Sequence, residues 1–178
     1  TVHWSPEALK QCRQFAGVGC QDYLRGQNVR QGRQRAGELS ALLQRLGAPM
    51  DRSAVEASTL SAVRRAAGLT EATVLLKGAT TLVASPFQDF YSQAEGTPWL
   101  ATAGSGDVLA GVIGALAAQL GADVGRFGEH DIDPDARWAA IAAMAASIHG
   151  LAGVRASRGG PVTATAIARA VPEVMREL

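Results

Sequence analysis

Between Thr97 and Leu120 the chain reads TPWLATAGSGDVLAGVIGALAAQL, and this stretch limits the possible folds more than any other. Gly104-Ser105-Gly106-Asp107 leads into a run without charge from Val108 to Ala122. Glycines on both sides of a serine permit a tight turn that side chains would obstruct. Beyond the turn, Val108, Leu109, Val112, Ile113 and Leu116 fall on one side of a helix, while Ala110, Gly111, Gly114 and Ala115 admit close neighbours. Asp107 therefore occupies the first turn of a buried helix, beside amides that have no intrahelical acceptor. Such a helix start suits an anion, with a carboxylate held at its rim. In the plainer reading Asp107 only offsets the helix dipole, worth about 0.3–1 kcal/mol. Dipole compensation requires no glycines, so the sequence favours a phosphate site, although GxGD alone is a weak motif.

A second feature lies upstream. Thr73–Leu76 is a short apolar strand that ends at Lys77, and Thr81–Ala84 is another, with Gly78-Ala79-Thr80 as the turn. A lysine at a strand end is commonly a surface residue. Before a glycine-containing turn, however, it can reach a phosphate while backbone amides approach the same ligand.

Composition bounds the rest. With 178 residues, 47% hydrophobic and 19% charged at a net charge of +1, the chain reads as one globular domain. No basic excess points to nucleic acid. Cys12 and Cys20 have neither CxxC spacing nor neighbouring histidines and read as ordinary thiols. The uncharged runs Val108–Ala122 and Trp138–Val154, 15 and 17 residues, fall short of the ~20 that span a bilayer. They are expected to be buried helices of a cytoplasmic protein without membrane contact.

In chain order, residues 1–35 show no sustained period, and Arg25, Arg30, Arg33 and Arg35 read as part of a solvated or poorly ordered leader rather than a phosphate-binding arm. Ala36–Leu46 repeats leucine at three- and four-residue steps and predicts a helix that Gly47 ends. Ser53–Ala67 predicts another, capped by Asp51 or Ser53 and stopped at Gly68. Phe87–Ala94 predicts a third strand. Asp131, Asp133 and Asp135 alternate, but Ala136 and Ala142 stand where a calcium loop needs Gly and Glu, so a solvated loop is expected. Arg137–Ala156 predicts an Ala-rich helix in which His149 reads as a hydrogen-bonded core residue. Thr163 caps a last helix that Pro172 breaks or re-enters.

Taken together, VLLKGATTLVAS (Val74–Ser85) and ATAGSGDVLAGVIGALAAQ resemble the C-terminal half of the ADP/ATP-dependent NAD(P)H-hydrate dehydratases, members of the ribokinase-like superfamily. AGELSALLQRLG, Asp51-Arg52, SIHGLAG (Ser147–Gly153) and TATAIARAVPEVMREL extend the resemblance from about Ala36 to Leu178. It implies an α/β fold, a ribokinase-like three-layer α/β/α sandwich, of which residues 36–178 are the C-terminal part, truncated at the N-terminus and preceded by the atypical leader 1–35. The implied activity restores NADH or NADPH from its hydrate by phosphoryl transfer to the hydrate hydroxyl and elimination of phosphate. Asp107 would touch the substrate as the base that accepts the hydroxyl proton. Lys77, Gly78, Ala79, Thr80, Thr81, Gly104, Ser105 and Gly106 would bind ADP or ATP, with Mg2+ bridging the phosphates.

Two positions depart from the family pattern. Thr80 stands where glycine is common, and Arg33-Gln34-Arg35 replace a Pro-His turn that contacts the hydrated dinucleotide. The altered front portion leaves a sheet edge to cover, from which association into a homo-oligomer is expected, with an NAD(P)H-hydrate epimerase as a further partner. Two rival readings remain open: a small-molecule kinase of the same fold, and a catalytically impaired remnant with an assembly role.

Overall fold

The computed structural model describes residues 28–178. The leader expected over residues 1–35 lies outside the described residues as far as residue 27. The first helix, α1, runs Asn28–Arg45 and so begins well before the expected Ala36. Arginine and glutamine are good helix formers, and once the leucine-bearing turns are docked, propagation backwards adds one hydrogen bond per residue.

A three-stranded antiparallel sheet forms the middle layer: β1 (Val74–Leu76), β2 (Thr81–Ala84) and β3 (Phe90–Gln93), in that order. Leu75 pairs with Val83 and Val83 with Tyr91, so these three side chains share one face. Their neighbours Val74, Leu76, Leu82, Ala84 and Phe90 share the other, as the two-residue period of a strand requires. Strand β3 is shorter than the expected Phe87–Ala94. Ser85 N–H donates to the Asp89 carbonyl at 2.8 Å and Gln88 takes φ 82°, which makes Pro86–Asp89 a hairpin turn.

One face of the sheet is covered by α1, α2 (Arg52–Ala57) and α3 (Thr59–Thr70). Leu43, Val55 and Val63 are fully buried there, each contributing about 1.5–3 kcal/mol of transfer free energy. The single helix expected from Ser53 to Ala67 is divided at Ser58, whose ψ is 52°. Thr59 Oγ1 bonds to the Val55 carbonyl at 3.0 Å, so a hydroxyl competes with the helix ladder at the break. Asp51 caps α2, accepting from Ala54 N–H at 2.7 Å. Gly68 does not stop α3, which continues to Thr70 and closes on Glu71 at φ 51°.

The opposite face packs against α6 (Arg137–Ser157), through Val83 with Ala139, Ala142 and Ala143. Helices α4 (Ser105–Leu120) and α7 (Ala164–Glu177) complete that layer, and the short α5 (Val124–Gly128) lies between α4 and α6 in the chain. Pro172 does not interrupt α7: Ile167, Ala170 and Val174 are buried on either side of it and hold the helix to α6. The stretch Pro134–Ser157 is long and apolar enough to cross a membrane, but most of its apolar part is buried inside the fold. It is the core helix. Helices, sheet, helices: the layers are those of an α/β/α sandwich.

Candidate active site

Lys77 follows β1 directly, and residues 77–80 make the hairpin turn into β2. The turn is tight at Gly78, where a Cβ would lie 2.9 Å from the Thr80 carbonyl oxygen. Pairing in the β1–β2 ladder turns the lysine inward, and its Nζ donates to the Leu100 carbonyl at 3.4 Å. Burial, and secondarily the Arg35 guanidinium on α1, hold its pKa below the usual lysine range. Among the described residues no carboxylate lies within 4.0 Å of it. A half-buried cation that no described carboxylate pairs is suited to an anionic ligand.

The lysine opens onto a cleft that is continuous with solvent. Lys77, Gly78, Ala79 and Thr81 form one wall, the Gln93–Pro98 segment another, and Ala146, His149 and Gly150 of α6 the floor. The Gln93–Thr97 chain lies directly on α6. A Cβ at Gly150 would sit 2.3 Å from the Glu95 carbonyl oxygen, and one at Gly153 would overlap the Leu100 side chain. Buried Gln93 donates through Nε2 to the Glu95 carbonyl, which fixes this wall from within. Burial pushes the Glu95 carboxyl above its usual range.

The start of α4 adjoins the floor through one residue. Ser105 is 1% exposed, and its Oγ and carbonyl oxygen lie 3.1 Å and 2.9 Å from His149 Nε2. Gly104 N-caps the helix at φ 81°, a conformation L-side chains rarely adopt, and a Cβ there would meet Ala164 Cβ at 3.0 Å. Ser105 N–H donates to the Thr102 carbonyl, and Asp107 N–H to that of Gly104. Asp107 is exposed in the first turn of α4.

The expected site residues therefore fall into two groups. Lys77, Gly78, Ala79 and Thr81 line the cleft itself, with Thr80 in the same turn. Gly104, Ser105, Gly106 and Asp107 form the neighbouring helix start, tied to the cleft floor by His149. The serine hydroxyl is turned into the protein, so Ser105 could meet a ligand only through its backbone.

Comparison with known proteins decides the family. The profile described as NAD(P)H-hydrate dehydratase matches residues 35–173. This chain belongs to that family. The ADP-dependent (S)-NAD(P)H-hydrate dehydratase of Neisseria meningitidis is 54% identical over 65 residues, 36% of this chain and 22% of that protein. The bifunctional NAD(P)H-hydrate repair enzyme Nnr of Thermofilum pendens is 37% identical over 127 residues, covering 70% of this chain and 21% of its own length. The chain thus matches about a fifth of each. Bacillus subtilis YxkO, of the UPF0031 family, superimposes with a TM-score of 0.54 at 20% identity, over 72% of this chain and 43% of that one, which shows the shared ribokinase-like fold.

In this member of the dehydratase family the second cleft wall carries no sequence signature. Nothing local in Glu95-Gly96-Thr97-Pro98 signals a cleft. His149 read as a hydrogen-bonded core residue, and it is one, but it also lines the cleft. The signal was available in SIHGLAG: Gly150 and Gly153, three residues apart, mark one helix face open to a close neighbour.

Proposed function

We propose that this chain forms the nucleotide-binding side of an ADP-dependent NAD(P)H-hydrate dehydratase, which returns NADHX and NADPHX to NADH and NADPH. One observation carries the proposal: Lys77 presents a half-buried ammonium, without a carboxylate partner among the described residues, to a cleft next to a glycine-bounded helix start. Family membership supplies the reaction class, and the name of the Neisseria relative favours ADP over ATP.

The residues fit a nucleotide. Lys77 would pair with its phosphates, while the Gly78–Thr81 turn and the Gly104–Gly106 backbone would approach it closely. No three His, Cys, Asp or Glu side chains converge among the described residues. A Mg2+ would therefore arrive on the phosphates with its waters, as this ion commonly does. When bound, nucleotide and ion supply the terminal phosphoryl group and spread its charge.

The chain's own residues would position and move the proton. Asp107 would take the proton of the hydrate hydroxyl as that oxygen bonds to phosphorus and the donor's bridging P–O bond breaks. Phosphate then leaves with the C–O bonding pair while a ring proton is lost, which restores the nicotinamide double bond. Because phosphoryl transfer depends mainly on placement and charge stabilisation, the fixed wall and helix start are what such a site needs.

The test is a product assay with ADP and NADH hydrate. Recovery of the NADH absorbance, with release of phosphate and AMP, supports dehydration. Accumulation of a phosphorylated substrate would instead identify a small-molecule kinase of the same fold.

A further inference from the structure

Helix α6 and the start of α4 meet at one buried polar contact. His149, 2% exposed, holds Nε2 within 2.9 Å of the Ser105 carbonyl oxygen and 3.1 Å of Ser105 Oγ. A carbonyl oxygen only accepts, so Nε2 carries the proton. Ser105, equally buried, opens α4 and stands two residues before Asp107. The next residue on α6, Gly150, lies against the Glu95 carbonyl and so carries the cleft wall. A single turn of α6 therefore touches both the wall of the cleft and the helix start that bears the carboxylate.

We infer that His149 is a positioning residue for the proposed reaction: its Nε2–H, bound to the Ser105 carbonyl, pins the Gly104–Asp107 turn to α6 and so sets where Asp107 stands relative to Lys77. The inference deepens the dehydratase reading and rests on it for the consequence in catalysis. The pin itself is a structural claim. Glycines at Gly104 and Gly106 leave this turn pliable, and the buried hydrogen bond supplies what the glycines lack. A side chain that fills the space without donating would keep the core and release the turn. Misplacement by ~1 Å can cost ~10²-fold in rate.

The experiment compares His149→Phe, which keeps bulk without a donor, with His149→Gln, whose amide can still donate to the Ser105 carbonyl. Three readouts are taken on the full chain: the 15N shifts of the His149 ring in the unaltered protein, amide hydrogen exchange at Ser105–Val108 and along α6, and turnover alongside ADP affinity. The expected results are an Nε2–H tautomer, and exchange at Ser105–Val108 faster by about tenfold in H149F, the scale of one buried hydrogen bond, with α6 still protected. Turnover should fall ~10²-fold in H149F, a larger fold-change than the loss of ADP affinity, because Lys77 and the Gly78–Thr81 turn still hold the nucleotide, and H149Q should recover most of the lost protection and turnover. An Nδ1–H tautomer, or unchanged exchange at Ser105–Val108 in H149F, overturns the inference. So does turnover that drops equally in H149F and H149Q. If H149F fails to fold, the ring tautomer and exchange in H149Q decide. An unaltered protein without turnover would contradict the dehydratase reading, while tautomer and exchange would still judge the pin.

Discussion

Gly150 brings the backbone of α6 so close to Glu95 that a Cβ would stand 2.3 Å from the Glu95 carbonyl oxygen and 2.7 Å from Gln93 Nε2. The obstacle is backbone, which cannot turn aside as a side chain can. Gly150→Ala should therefore force the Gln93–Thr97 wall off α6 and destabilise the fold by about 1–3 kcal/mol, the cost of overpacking. Denaturant unfolding measures this. A loss below about 0.5 kcal/mol would mean that the wall is not held against the helix.

Gly106 offers the opposite case. It is helical, and a Cβ there would meet nothing within 4 Å, so Gly106→Ala should be neutral or stabilising by up to about 1 kcal/mol. If nucleotide lies against this backbone, the same change should weaken ADP binding. Thermal unfolding together with ADP titration separates the two effects, and a stabilised variant with unaltered affinity would remove Gly106 from the nucleotide site.

His149 makes stability depend on acid. Burial first, and then the Lys77 charge, lower its pKa from 6.5 to about 4, against the opposing bond to Ser105. Glu95, on the facing cleft wall, and Asp107, on α4, are the nearby acidic groups of the site. The unfolded chain binds the extra proton between those two pH values, so the contribution is complete above about pH 6.5 and is lost as pH falls toward 4. At about 1.4 kcal/mol per pKa unit the loss is on the order of 3 kcal/mol. Unfolding free energies across this range should show that limb, and His149→Gln should flatten it. A limb that persists unchanged in the variant would assign it to other groups.

Asp107 is exposed at the helix start, so Asp107→Asn should fold normally and retain ADP. Turnover should fall ~10²–10⁴-fold, as for loss of a general base. Near-normal turnover would leave Asp107 as a helix-dipole residue.

What the sequence disclosed was local. The α4 start was legible because glycine turn, acidic first turn and apolar period all lie within one stretch, and α6 was legible from its unbroken alanine-rich run. The division at Ser58 was not, because Thr59 can compete for the Val55 carbonyl only once a helix has formed there. Nor was the continuity of α7 through Pro172, which depends on Ile167 and Val174 meeting α6. The cleft was half legible. Its Lys77 turn announces itself, but the contact between His149 and Ser105 joins residues 44 apart, a pairing that only the packed layers create.

The central claim is that Lys77 binds nucleotide phosphate, and calorimetric titration of ADP and adenosine into the unaltered chain and Lys77→Ala tests it most directly. A hydrogen bond to a charged group contributes about 1.5–3 kcal/mol, so ADP affinity should fall roughly 10- to 100-fold in the variant. Adenosine, which has no phosphate, should bind both proteins within about threefold of each other. Equal losses for the two ligands, or no ADP binding by the unaltered chain, would contradict the account.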